Sequence, residues 1–126
     1  MHFLNSSYLY LFLNIIFTVY SQIILKMALN NLIFIKIYTL DNILSFLIKC
    51  LGNFFLMSSI FSYLMASITW VLVLSKFNIS FAYPFSLVSY LIVFILAVLY
   101  LNEKANMYNY LGLVLMITGL IFIAKN

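Results

Sequence analysis

NFFLMSSIFSYLMASITWVLVL (53–74), SKFN (75–78) and ISFAYPFSLVSYLIVFILAVLYL (79–101) follow one another with a single charged residue, Lys76, and it lies in the four-residue break. A helix crosses a bilayer with about 20 mostly apolar residues, range ~17–25. Segments 53–74 and 79–101 are therefore each predicted to span. A break this short makes them antiparallel neighbours. Working outward, a polar turn at 102–107 leads to a further apolar segment, 108–124, and an earlier one occupies 8–29. The reading is all-α: one domain over residues 1–126, an integral membrane bundle of four transmembrane helices.

Composition supports lipid as the solvent. Hydrophobic residues make up 67% of the chain and charged residues 6%, against about 25% charged in soluble domains. A water-soluble surface cannot be covered with so few polar groups. The net charge of +4 comes from six lysines against Asp41 and Glu103. The lysines are scattered singly and form no basic stripe, which argues against nucleic acid and is compatible with anionic membrane lipids as partners. Cys50 is the single cysteine and His2 the single histidine, so no metal site, cofactor or catalytic constellation is expected, and the chain is not read as an enzyme.

The first apolar segment lacks a preceding basic residue and a following small-x-small site, so it is read as a retained span rather than a cleaved leader. Lys26, Lys36, Lys49 and Lys104 fall on the side of the first and third connections, Lys76 and Lys125 on the other. That excess is too small to assign an orientation. The connection 30–52 is long. Leu40, Ile43, Leu44, Leu47 and Ile48 recur there at helical spacing beside Asp41, Ser45 and Lys49. Two readings stay open: an interfacial helix over 40–50, or a longer tilted start to the second span.

Polar residues inside a span are costly and tend to face a cavity or another helix. In the first span Asn14, Thr18, Ser21, Gln22 and Lys26 fall within roughly 140° at about 100° per residue. They can form a substrate-lining wall with Lys26 as cationic anchor, although a lysine near a helix end also snorkels. Ser58, Ser62 and Ala66 recur at four-residue steps in the second span and are read as a packing face. Trp70 is read as an interfacial anchor. Pro84 cannot donate to the Ser80 carbonyl, so a kink or opening is expected near the start of the third span. Tyr83, Ser86 and Tyr90 share a face there and offer hydroxyls to a phosphate or sugar, or to the backbone itself. Gly112 and Gly119 form a seam in the fourth span, suited to close contact within or between chains.

In order and spacing, Ser21-Gln22-x-x-x-Lys26, Trp70-x-x-x-Leu74, Ala82-Tyr83-Pro84, Glu103 and the Gly112…Gly119 pair resemble the four-helix members of the drug/metabolite transporter superfamily, EamA-like and small multidrug resistance-like. The small multidrug resistance branch implies antiparallel dimers and export of small cations or drugs, through a membrane-embedded glutamate in the first helix. Aligned on Lys26, Thr18 stands in that glutamate's place. The resemblance is closer to flippase subunits for aminoarabinose-phospho-undecaprenol, which share the Gln-x-x-x-Lys ending and the Ala-Tyr-Pro opening. It implies a cell inner-membrane subunit, paired as a homodimer or heterodimer, that moves an anionic lipid-linked saccharide. Lys26 would then hold the phosphate, and Gln22, Thr18, Asn14, Tyr83, Ser86 and Tyr90 would line the path. A non-transporting partner subunit is the third reading.

Overall fold

A computed structural model describes residues 2–30 and 40–124. The first half of the 30–52 connection, with Lys36, and the terminal Lys125 lie outside the described residues. The described chain is helical: α1 His2–Asn30, α2 Leu40–Leu51, α3 Phe54–Leu74, α4 Ile79–Tyr100 and α5 Met107–Ala124. Three of these helices are long and apolar enough to cross a membrane, over Ser7–Asn30, Phe54–Leu74 and Ile79–Tyr100. The fourth expected span corresponds to α5, apolar over Met107–Ile123 but shorter.

The helix boundaries have local causes. Between α2 and α3 the chain breaks at Gly52 and Asn53. The Asn53 side chain then accepts hydrogen bonds from the Phe55 and Leu56 amides at 3.0 and 3.3 Å, capping the first turn of α3. Of the two readings for 40–50, the structure holds the separate helix. Ile43, Leu44, Leu47, Ile48 and Leu51 on it are exposed, and α3 is its neighbour among the described elements. α4 runs unbroken through Pro84. The expected opening is therefore absorbed inside a continuous helix, at the cost of one backbone bond to Ser80. α4 ends where Asn102 takes a left-handed conformation (φ 52°), which a short polar side chain tolerates better than most. The reversal brings the Glu103 amide back onto the Ala97 carbonyl at 3.2 Å.

α1 is the central helix, packed most extensively against α3 and on another side against α4. The α1–α3 contact is a seam of small and polar residues. On α3 the buried positions are Leu56, Ser59, Ser62, Ala66, Thr69 and Val73, spaced three and four apart. On α1 they are Leu11, Asn14, Ser21 and Ala28, the last three seven apart. This is the spacing of a coiled-coil seam, and small side chains let the backbones close in.

Hydrogen bonds lock the register. The Asn14 amide donates to the Ala66 carbonyl at 2.7 Å and to Thr69 Oγ1 at 3.3 Å. Ser62 Oγ donates to the Phe17 carbonyl at 3.0 Å, and Tyr20 Oη pairs with Ser58 Oγ at 2.8 Å. As the α1 number rises through 14, 17 and 20, the α3 number falls through 66, 62 and 58, so the helices are antiparallel.

At the other end of α1, Tyr8 meets Phe77 of the α3–α4 turn with ring centroids 5.4 Å apart. Phe77, Phe81 and Phe85 form a ring ladder along the start of α4. With Tyr10, Trp70, Leu74 and the buried Leu11, Val73 and Ala82, they make the apolar core. Trp70 is thus a packing residue, its ring set edge-on to Tyr83 at 5.4 Å. α5 touches α4 alone among the described elements.

Two buried polar groups should respond oppositely to removal. Asn14→Leu loses a satisfied interhelical hydrogen bond and should cost about 1–2 kcal/mol. Ser89 Oγ is buried with no hydrogen-bond partner among the described residues. Ser89→Ala should therefore be neutral or slightly stabilising. Equilibrium unfolding of both variants in mild-detergent micelles checks the pair.

Candidate functional site

The polar face of α1 divides between two neighbours. Asn14 and Ser21 are buried in the α3 seam. The Ser21 hydroxyl donates to the Thr18 carbonyl at 2.8 Å, and Thr18 is half-buried. The structure therefore places Asn14 in helix packing, where its amide is consumed by α3, rather than in the wall of an open path. An apolar surrounding has no water to satisfy an amide, so a helix carbonyl takes that role.

Gln22 is exposed and borders a groove of about 250 Å³ between α1 and α3, with Ser21, Leu25, Ser59, Ile60, Tyr63 and Leu64. Lys26 lies one turn further on. Its ammonium meets Glu103 of the α4–α5 turn, Nζ to Oε1 3.3 Å, with both side chains about half exposed (51% and 46%). Asn102 makes this pairing possible, because its left-handed turn ends α4 and carries Glu103 back towards the helix end. Across residues separated by most of the chain, the pair ties the end of α1 to the end of α4.

On the α4 side of α1 lies a larger groove, about 400 Å³. Its walls are apolar: Phe12, Ile15, Ile16, Val19, Tyr20, Ile23 and Ile24 from α1, Ile92 and Leu96 from α4. The one hydroxyl among them, that of Tyr20, is engaged by Ser58.

The α4 hydroxyls are not gathered around Lys26. The Ser86 hydroxyl donates to the Tyr83 carbonyl at 2.6 Å, within its own helix. Tyr83 packs against Trp70 near the end of α3, and Tyr90 is exposed, as Tyr83 largely is. The Tyr8–Phe77 contact puts the start of α4 beside the start of α1. Tyr8 and Lys26 are separated by 18 residues of α1, about 27 Å at the helical rise. Lys26 with Gln22, and Tyr83 with Ser86, therefore mark opposite ends of the bundle and cannot grip the same phosphate at one time.

At Gly112 and Gly119 an added Cβ would meet nothing within 4 Å. Among the described residues, the glycine seam of α5 is thus open to its surroundings. Glu103 as the partner of Lys26 was not apparent from sequence spacing, since the two are linked only by the return of α4. The α3 seam was foreshadowed by Ser62 and Ala66, and the three–four spacing of Ser59, Ser62, Ala66, Thr69 and Val73 carries the full signal.

Comparison with protein-family models, with curated proteins and with solved structures finds no match to this chain.

The Lys26–Glu103 pair is half exposed, where an ion pair contributes about 0–1 kcal/mol. Glu103→Gln should accordingly lower unfolding stability by less than about 1 kcal/mol. A larger loss in the same unfolding assay would mean that the pair holds the fold rather than the site.

Proposed function

We propose that this chain is a four-span subunit of a cell inner-membrane transporter that moves a polyprenyl-phosphate-linked saccharide between leaflets. The observation that carries the reading is Lys26. It is a half-exposed ammonium at the end of a long apolar helix, restrained by one carboxylate and flanked by grooves on both sides of α1. A cation there suits a phosphate headgroup, because a charge-assisted bond is stronger where local water is scarce.

Charge argues the same way from the other side. The segments 8–29, 53–74, 79–101 and 108–124 contain no Asp or Glu. Proton-coupled export of a small cation needs an intramembrane carboxylate as counter-ion and titrating group, and Thr18 occupies the position where that branch would carry one. Gln22 stands beside the anchor at one end of the path, Tyr83 and Ser86 serve the other, and Tyr90 lies halfway along α4. Between them the α1–α3 lock acts as the fixed body, and the lightly packed α4, with Pro84 near its start, is the element that rocks.

α5 completes the bundle as a fourth span. Its 18 residues reach about 27 Å, close to the ~30 Å hydrocarbon thickness. A small mismatch of this kind is met by local thinning or by association with another helix. The open Gly112–Gly119 seam provides that association, so the working unit is a dimer, of identical or similar small subunits. With four crossings, Lys26 and Lys104 share one membrane side and Lys76 lies on the other.

Three expected outcomes test these statements. Lys26→Gln, inserted at wild-type level, should abolish or severely reduce appearance of lipid-linked saccharide on the outer leaflet, while Lys26→Arg retains part of it. A Gln variant that flips lipid at the wild-type rate makes Lys26 a snorkelling anchor and removes the phosphate site. Gly112→Leu with Gly119→Leu should abolish crosslinking between α5 helices bearing single cysteines; unchanged crosslinking places the dimer contact elsewhere. Proteoliposomes should show no proton-driven efflux of quaternary ammonium compounds, and robust efflux would turn the assignment to cation export.

A further inference from the structure

The apolar groove between α1 and α4 is aligned with Lys26. Phe12 and Val19 lie on its wall, and Lys26 follows at the next seven-residue step, on the same stripe of α1 to within about 40°. Glu103, which pairs with Lys26, follows the end of α4 beyond Ile92 and Leu96, the groove's other wall. The ion pair therefore lies just beyond one end of the groove, whose walls are apolar.

We infer that this groove seats the hydrocarbon chain of a long-chain polyprenyl monophosphate lipid, whose phosphate displaces Glu103 from Lys26. The inference rests on the transport reading above and assigns its substrate's tail a place. Three features carry it. The groove's walls offer contact to hydrocarbon and no free hydrogen-bonding group, since the Tyr20 hydroxyl is held by Ser58. The charge at its end is complementary to a phosphate, and its present partner is an exposed carboxylate in a weak pair, which a phosphate can replace with the same kind of charge-assisted bond.

Length favours a long-chain lipid. From Lys26 down to Phe12 is 14 residues, about 21 Å along α1, whereas one leaflet contributes about 15 Å of hydrocarbon. An ordinary acyl chain anchored at the membrane surface ends near the midplane. A polyprenyl chain continues past it and fills the groove to Phe12. The occupant is thus one long chain rather than the paired shorter chains of a glycerophospholipid.

The test uses the purified full chain in lipid nanodiscs and a polyprenyl monophosphate carrying a diazirine in the third or fourth isoprene unit from its phosphate. After irradiation, label should concentrate on segments 12–24 and 92–96. Unlabelled polyprenyl monophosphate should compete, and phosphatidylglycerol at equal concentration should not. Ile92→Trp, filling the groove, should reduce labelling at least fivefold, while Ile68→Trp, on an exposed face of α3, leaves it unchanged. Glu103→Gln should raise labelling at least twofold at limiting probe.

Label spread evenly over all helices, or wild-type labelling in a monodisperse Ile92→Trp protein, overturns the site. Equal competition by phosphatidylglycerol overturns the choice of lipid. Unchanged labelling in Glu103→Gln overturns displacement of the carboxylate. Labelling needs neither saccharide nor translocation. Groove labelling without flipping therefore refutes the transport reading alone, and flipping without groove labelling refutes this site alone.

Discussion

The hydrogen bond from the Asn14 amide to the Ala66 carbonyl sets the geometry on which the rest of this bundle depends. In a hydrocarbon surrounding, apolar side chains gain little by leaving lipid for one another, so close backbone approach and interhelical hydrogen bonds select which helices pair. Asn14, Ser62 and the Tyr20–Ser58 couple provide those bonds along one antiparallel contact, and Ser59, Ala66, Ser21 and Ala28 provide the closeness. Once α1 and α3 are fixed in this register, the α3–α4 turn carries α4 back alongside the free flank of α1. No comparable lock joins α1 to α4 among the described residues. Their meeting face is bulky and branched and encloses a groove instead of closing.

This asymmetry gives the two flanks of α1 separate roles. The α3 flank consumes Asn14 and Ser21 internally, satisfied by backbone carbonyls and buried, and leaves Gln22 exposed at its groove. The α4 flank is held by an aromatic cluster at one end, around Phe77, Phe81 and Phe85, and by Lys26 with Glu103 at the other. A helix pinned at its ends and lightly packed between them can tilt while its neighbours stay in register. The proposed transport needs a rigid element and a moving one, and it assigns them to the α3 and α4 flanks of one central helix.

The apolar runs were legible without coordinates, because span length and composition are properties of contiguous residues. The segments 53–74, 79–101 and 108–124 fall within a residue or so of α3, α4 and α5. α1 extends beyond its apolar window towards the N-terminus, since helical hydrogen bonding does not stop where hydropathy falls. α2 was readable as a helix from its spacing, but its separation from α3 depends on the Asn53 cap, a local polar contact. What sequence could not resolve was which neighbour each flank of α1 would meet. The stripe of Asn14, Thr18, Ser21, Gln22 and Lys26 looked like one wall; the antiparallel register sends Asn14 and Ser21 to α3, while the return of α4 sends Lys26 to Glu103. Pairings of that kind rest on contacts between residues distant along the chain, for which hydropathy carries no signal. For the same reason Tyr83 and Lys26, both attractive as phosphate ligands, gave no sign of lying at opposite ends.

The acceptors in the α1–α3 lock are worth separating from the donors. Asn14 reaches the backbone of α3 at Ala66, and Ser62 reaches the backbone of α1 at Phe17. A main-chain carbonyl is present whatever side chain a codon specifies. Each of these two bonds therefore has a single genetic address, on the donor side. Lineages of this chain could exchange the residue at position 17 freely, and that at 66 among small residues, without losing a bond, whereas a loss at 14 or 62 could be restored only by a new donor elsewhere on the seam. Drift at these two bonds should consequently appear as isolated substitutions, whereas Tyr20 and Ser58, whose bond has a side chain at each end, should change together. Methods that infer helix contacts from correlated change would then detect this interface at the Tyr20–Ser58 contact and stay silent at the two positions where a main-chain carbonyl is the acceptor.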